Sequence, residues 1–97
     1  MTIGQKIREL REDAQMLQRE LAYKLEVGDA YLSKIERNQK NLKKEHLKTI
    51  SKLFKYSYEE LETLWLANKV YDLIKDEKKA IEVLKVAEQE INYRKRI

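Results

Sequence analysis

Hydrophobic positions along this chain recur every three or four residues, which is the spacing of amphipathic helices and not of strands. The first stripe consists of Ile3, Ile7, Leu10 and Ala14. It predicts a helix from Ile3 to about Ala14. Thr2 and Gln5 have the spacing of a capping box, in which each side chain accepts the other residue's amide, so the helix is expected to begin there.

The apolar pattern is densest between Gln18 and Arg37, where it predicts two short helices joined by a tight turn. The first covers Gln18–Leu25 and the second Asp29–Arg37, with Gly28 at their junction. The inward positions are Leu21, Ala22, Leu25, Val27, Leu32 and Ile35. Two helices packed steeply across a small Ala22 form a helix-turn-helix, whose second helix can enter the major groove of DNA.

The remaining pattern predicts three more helices. Residues 38–44 form a polar loop, Glu45–Phe54 a fourth helix, and a fifth begins at a Ser57–Glu60 capping box and continues to Ile74. The polar run 75–79 then interrupts the apolar spacing, and Asp76 is expected to cap a last helix. That helix carries Ala80, Leu84, Ala87 and Ile91 at coiled-coil-like intervals.

Composition narrows the fold and the chemistry. The chain has 97 residues, no proline and two glycines, and strong helix formers dominate, so one all-α domain with an appendage is expected. The absence of cysteine excludes disulfides and thiolate catalysis. His46 is the only histidine and has no neighbours at metal-ligand or catalytic spacing. We therefore expect no metal, no cofactor, no catalytic residues and no enzyme activity.

The longest apolar run spans only residues 64–67, so a cytoplasmic protein without membrane contact is expected.

Positive charge is concentrated after the second short helix. The net charge is +4, and between Lys34 and Lys55 the only acids are Glu36 and Glu45. The basic residues there are Lys34, Arg37, Lys40, Lys43, Lys44, Lys48, Lys52 and Lys55. Such a field attracts a polyanion, although a solvated helical surface would look the same by charge alone.

The segment LAYKLEVGDAYLSKIER, followed by a polar loop and LKTISKLF, resembles the phage repressor and Cro-like helix-turn-helix family, often called the Xre family. The resemblance covers about Thr2 to Leu64. It implies a five-helix lambda-repressor-like domain over residues 1–64 that binds operator DNA as a symmetric dimer. Residues 65–97 would then be a C-terminal helical extension.

The chain departs from the family pattern at several turn and cap positions. Glu26 stands where glycine is usual, and we expect it to be left-handed at a cost of about 1 kcal/mol. Gly28 replaces the usual Ser or Thr cap, and Leu17 cannot cap the preceding helix with its side chain. Asn38 replaces a glycine that follows the second short helix and is expected to be a left-handed cap. Leu42 stands where proline is common.

The family register assigns four residues of the second short helix to base reading, namely Asp29, Ala30, Ser33 and Lys34. Lys34 can donate to guanine O6 and N7, and Ala30 can contact a thymine methyl group. Asp29 can accept from cytosine N4, but its structural interpretation, an acid stabilising the helix N-terminus, is favoured.

The predicted contacts to the DNA backbone are Gln18, Tyr31, Arg37, Lys40, Lys43 and Lys44. Gln18 opens a helix whose N-terminus favours a phosphate, or it is an ordinary exposed residue. Tyr31 reaches a phosphate or thymine, or covers the preceding helix. Arg11 and Glu36 are placed by the resemblance as a partly buried ion pair with a structural role.

The extension needs a partner for its apolar side chains. The predicted dimer contacts are Trp65, Ala80, Leu84, Ala87 and Ile91. A twofold dimer formed through them would set two DNA-reading helices about 34 Å apart. The alternative is that the last helix folds back over its own domain.

These observations predict a sequence-specific regulator that binds a palindromic operator on double-stranded DNA as a homodimer and acts as a repressor or controller. The alternative is an antitoxin-like interaction module whose C-terminal helix binds a toxin or another partner protein.

Overall fold

The computed structural model describes residues 1–96, all of whose regular structure is helical. The helices are α1 (Ile3–Asp13), α2 (Gln18–Leu25), α3 (Asp29–Glu36), α4 (Lys44–Phe54), α5 (Tyr58–Ile74) and α6 (Ala80–Arg96). The first five surround one core, in which α2 and α1 pack against α3, and α4 packs against α5 and α2. This is the lambda-repressor-like arrangement that the family resemblance implied, built from the helices that the apolar spacing predicted. No helix in this part of the chain is long and apolar enough to span a bilayer.

The core is built from one apolar stripe of each short helix. Its buried side chains are Ile3, Ile7, Leu21, Ala22, Leu25, Leu32, Ile35, Leu42, Leu47, Ile50, Leu61 and Trp65. Ala22 is fully buried where α2 meets its neighbours. Burial of such residues contributes about 25 cal/mol for each Å² of apolar surface removed from water, which offsets the ordering of short helices that are unstable alone.

The start of α1 is fixed by the predicted capping box and by a bridge to the end of α3. Thr2 Oγ1 accepts the Gln5 amide at 3.1 Å, and Gln5 Oε1 accepts the Thr2 amide at 2.9 Å. Asn38 Nδ2 donates to Thr2 Oγ1 at 2.7 Å, and Asn38 Oδ1 accepts from the Gly4 amide at 3.3 Å. Gly4 is required for this approach, because a Cβ there would collide with the Ile35 carbonyl oxygen.

The turns of the domain use left-handed residues. Glu26 (φ 58°) ends α2 and Asn38 (φ 61°) follows α3, so both predicted left-handed positions are confirmed. Gly28 has φ −74° and open space around its α-carbon, so its position does not require glycine. Its lack of a side chain leaves the start of α3 without a side-chain cap, as predicted.

Several predicted boundaries are wrong by one residue or by one turn. Helices α1 and α3 each end one residue before the predicted position, and α4 begins one residue earlier. Ser57 accepts the Glu60 amide at 3.2 Å, but the reciprocal bond of a capping box is not formed among residues 1–96. Asp76 is not the cap of α6, because residues 75–79 form turns and α6 begins only at Ala80.

Trp65 belongs to the core and not to a dimer surface, which corrects one predicted interface residue. It is 9% exposed, and its indole Nε1 donates to the Leu42 carbonyl oxygen at 2.9 Å. Lys69 Nζ lies 3.7 Å from the centre of the Trp65 ring on its outer side. The large ring closes the core over the loop that precedes α4, where the family commonly has proline.

Beyond Trp65 no described residue is buried. The second half of α5 and the whole of α6 expose apolar side chains, including Leu73 at 80% and Ile91 at 55%. The alternative in which the last helix folds back over its own domain is therefore wrong for this structure. Ala80 is partly exposed, and Leu84, Ala87 and Ile91 are exposed.

Candidate nucleic-acid interface

Helix α3 separates its buried and exposed residues cleanly. Leu32, Ile35 and Glu36 are its buried residues. The predicted base-reading residues lie on the other side, with Asp29, Ala30 and Lys34 exposed and Ser33 partly exposed. Asp29 occupies the first turn, where its charge is favourable to the helix dipole. The arrangement leaves a convex polar face that a DNA groove could receive.

Four of the predicted backbone contacts are exposed cations, and three of them have no ion-pair partner within residues 1–96. Arg37, Lys40 and Lys43 are exposed, and none of them forms an ion pair within residues 1–96. Arg37 Nε donates to the Ser33 carbonyl oxygen at 3.3 Å, which holds its guanidinium along the end of α3. Their positive charge is therefore available to an anion.

Lys44 differs from these residues because its ammonium group already has a partner. Lys44 Nζ lies 3.3 Å from Glu62 Oε2 of α5, and Glu62 also accepts from the Tyr58 hydroxyl at 3.2 Å. A phosphate would have to compete with this carboxylate. The geometry supports Lys44 less than Lys40 or Lys43 as a backbone contact.

The Arg11–Glu36 ion pair is present and joins α1 to the end of α3. Arg11 Nε lies 2.8 Å from Glu36 Oε2, and Arg11 Nη2 lies 3.1 Å from Glu36 Oε1. The two side chains are 12% and 2% exposed. The hydrogen bond to Glu36 raises the pKa of Arg11, and Arg11 Nη1 also donates to the Met16 carbonyl oxygen at 2.8 Å. The pair fixes the segment that leads into α2.

Gln18 is the third member of this buried group, which corrects its predicted placement. Its Nε2 donates to Glu36 Oε1 at 3.0 Å, and the residue is partly buried. The side-chain amide is therefore turned into the protein and is not presented to a phosphate. The contact instead holds the start of α2 against the end of α3, which sequence spacing alone did not indicate.

The side chain of Tyr31, which was predicted to contact DNA, makes a contact within the protein. Its hydroxyl donates to the Asn41 carbonyl oxygen at 3.0 Å, and its ring packs against the core. The side chain therefore ties α3 to the loop that carries Lys40 and Lys43.

The start of α4 depends on the single histidine. Lys43 donates its amide to His46 Nδ1 at 3.3 Å, which is half of a capping box with histidine as the returning acceptor. Burial lowers the pKa of His46 below its ordinary value. The negative charge of Glu45 raises this pKa in part, and the positive charge of Lys43 lowers it. His46 is therefore neutral near pH 7, with its proton on Nε2.

Arg19 is a candidate contact that the sequence analysis missed. It is exposed in the first turn of α2, and no ion pair engages it in the described part of the chain. Arg19 follows Gln18, whose side chain bonds to Glu36, and Arg37 follows Glu36. A basic residue at a helix N-terminus opposes the helix dipole, and this was the signal available in the sequence.

The comparisons with known proteins agree with this geometry. A family model described as helix-turn-helix matches residues 7–61, which contain all of α2, α3 and α4. The chain belongs to the Xre and Cro-like helix-turn-helix family. Members of this family are DNA-binding transcription regulators.

A solved structure extends the likeness beyond the family domain. It is the complex of the SinR protein with the SinI protein, and the matched chain is 28% identical with a TM-score of 0.55. The alignment covers 94% of this chain and 99% of that chain, so the similarity includes the C-terminal helices.

No curated protein sequence matches the chain. Within residues 1–96 no cluster of three metal-ligating side chains occurs.

Proposed function

We propose that this protein is a sequence-specific repressor that binds a palindromic operator as a homodimer. The observation that carries the proposal is the exposed face of α3, which is followed in the chain by Arg37, Lys40 and Lys43, exposed cations that form no ion pair within residues 1–96. Membership in the helix-turn-helix family supports the placement of that face in a major groove. The protein would act in the cytoplasm, without cofactor or catalysis.

The proposed role of each residue on DNA follows from the exposure and charge of its side chain. Lys34, Ser33, Ala30 and Asp29 would read base edges, with Lys34 donating to guanine. The cations Arg19, Arg37, Lys40 and Lys43 would contact phosphates and set the register of the domain on the duplex. Gln18 and Tyr31 would act indirectly, because their side chains hold α2 and the α3–α4 loop in place. A dimer over a promoter would repress by excluding polymerase.

Selection of DNA fragments by the purified protein, followed by sequencing and salt titration, tests this function. We expect a palindromic sequence whose half-sites are about one helical turn apart. Lys34→Glu should reduce affinity for that sequence by at least about tenfold, because it removes a donor and adds a repulsive charge. Each phosphate contact should add about 0.9 to the slope of log affinity against log salt.

Lys85→Glu is the matched control, since it makes the same charge change on an exposed residue of α6. It should leave operator affinity nearly unchanged. Binding without sequence preference, or equal losses in the two variants, would contradict specific readout by α3.

A second candidate function is binding of a different protein through the C-terminal helices. The support is the exposed apolar surface of α6, together with the similarity of the chain to the solved complex of SinR with SinI. In that case a toxin or another partner would occupy the extension. Partner binding would then survive Lys34→Glu but be lost with Leu84→Glu.

A further inference from the structure

Residues 41–43, in the loop between α3 and α4, are held in place by side chains from three helices. Tyr31 of α3 donates its hydroxyl hydrogen to the Asn41 carbonyl oxygen at 3.0 Å. Trp65 of α5 donates from its indole Nε1 to the next carbonyl oxygen, that of Leu42, at 2.9 Å. Leu42 is 3% exposed, so its side chain also packs into the core. The middle of the loop is therefore fixed from inside the domain.

The third contact comes from the first turn of α4. The Lys43 amide donates to His46 Nδ1 at 3.3 Å. Three neighbouring residues of an irregular segment thus have a backbone group bonded to a side chain, where such a group otherwise bonds to water. The loop therefore has little conformational freedom before any ligand arrives.

We propose that Tyr31, His46 and Trp65 are positioning residues for DNA binding, which hold the loop so that Lys40 and Lys43 meet phosphates. Both lysines are exposed and form no ion pair within residues 1–96. A loop that becomes ordered only on binding loses affinity to the backbone freedom that it gives up, and a loop that is already ordered avoids this loss. The inference rests on the proposed function and assigns it three residues that need not touch DNA.

Trp65 extends this arrangement to α5. Glu62, almost one turn before Trp65, lies 3.3 Å from Lys44 Nζ, while Trp65 itself bonds to Leu42. Helix α5 thus contacts both the loop and the start of α4. Without the indole N–H the Leu42 carbonyl oxygen would be left in the core without its donor, which is unfavourable. The role of Trp65 therefore includes holding the loop as well as filling the core.

Tyr31→Phe gives the sharpest test, because it removes one hydroxyl group and keeps the ring that packs on the core. Fluorescence anisotropy measures affinity for the duplex selected above and for a scrambled duplex of the same composition. We expect the variant to bind both duplexes about two- to tenfold more weakly than the wild type. The two factors should be equal, since the affected lysines contact phosphates and not bases. Tyr71→Phe, at a tyrosine that is 63% exposed, is the matched control and should change neither affinity.

A double-mutant cycle distinguishes positioning from a general structural role. The second background carries Lys40→Ala and Lys43→Ala, which remove the cations but keep the amide that donates to His46. In that background Tyr31→Phe should change affinity by less than about 1.5-fold. Trp65→Phe should likewise weaken binding only where the lysines are present. Any loss of stability occurs in both backgrounds and cancels.

Replacement of His46 tests the third contact through rescue by a conservative variant. His46→Leu removes the acceptor and should weaken binding to both duplexes by about two- to tenfold at pH 7.5. His46→Gln retains an acceptor for the Lys43 amide and should bind within about 1.5-fold of the wild type. Equal binding by the two variants would show that this contact does not position the loop.

The outcomes separate this inference from the proposed function. Equal effects of Tyr31→Phe with and without the lysines would overturn the positioning role and leave the repressor function standing. A loss confined to the selected duplex would also overturn it, because Tyr31 would then read bases. A wild-type chain that binds neither duplex would overturn the proposed function, and the positioning role with it.

Discussion

At the scale of single residues, Glu36 of α3 makes contacts that join its helix to two others. Its carboxylate accepts from Arg11 and from Gln18 and is 2% exposed as a side chain. One acid therefore links the first three helices. Its contacts hold the start of α2 against the end of α3.

Glu36→Gln should lower the free energy of unfolding by about 3–5 kcal/mol, because it leaves the guanidinium of Arg11 buried without its counter-charge. Urea unfolding at pH 7 measures the change. Arg8→Met is the matched control, since the Arg8–Glu12 pair is more than half exposed and its loss should cost at most about 0.5 kcal/mol. Similar losses in both variants would show that the Glu36 pair is not energetically special.

At the scale of elements, the starts of the helices are secured by different means. Thr2 provides a full capping box. The N-cap of α2 is Leu17, which has only the returning bond from Glu20, whose Oε1 accepts the Leu17 amide at 3.0 Å. Helix α4 likewise has only the bond from Lys43 to His46. Its start is therefore the one place where helix stability is coupled to a group that titrates near neutral pH.

Acidification should weaken the fold through His46. Burial lowers its pKa in the folded state below the ordinary value of 6.5, so the unfolded chain takes up the proton first. The contribution of neutral His46 to the free energy of unfolding is complete above about pH 6.5 and is lost as the pH falls below that value. The slope from this group cannot exceed about 1.4 kcal/mol per pH unit.

Unfolding free energies of the wild type and of His46→Gln between pH 5 and pH 7.5 check this expectation. Glutamine keeps an acceptor for the Lys43 amide but does not titrate. The wild type should lose more stability than the variant over this range. Parallel pH profiles would show that His46 does not contribute.

At the scale of the whole molecule, the described chain consists of a five-helix core that ends with Trp65 and a following segment, residues 66–96, that adds no buried side chain to it. The core ends with Trp65, since every later residue of the described chain is at least partly exposed. The folding energy of one copy therefore resides before residue 66. The extension is free to serve association.

A chain truncated after Lys75 should fold and keep the unfolding free energy of the full-length monomer within about 0.5 kcal/mol, because no buried side chain is lost. Truncation after Leu64 is the comparison. It removes the Trp65 ring and its bond to Leu42, and should cost at least about 3 kcal/mol. Denaturant unfolding at a dilution that favours monomers measures both. Equal stability of the two truncations would place the end of the core before Trp65.

The sequence by itself determined the helices and the side of each that faces inward, because a 3.6-residue apolar period and local caps act over a few neighbouring residues. It also determined the left-handed turn at Asn38, which depends on local backbone geometry, whereas the left-handed conformation of Glu26 was implied by the family resemblance. The Arg11–Glu36 pair came from family resemblance and is confirmed by contact distances. Only the tertiary structure decided the roles of Gln18, Tyr31 and Trp65. Their partners, Glu36, Asn41 and Leu42, lie ten or more residues away, and a polar or aromatic side chain at a helix surface looks the same in sequence whether it meets solvent or a neighbouring carbonyl.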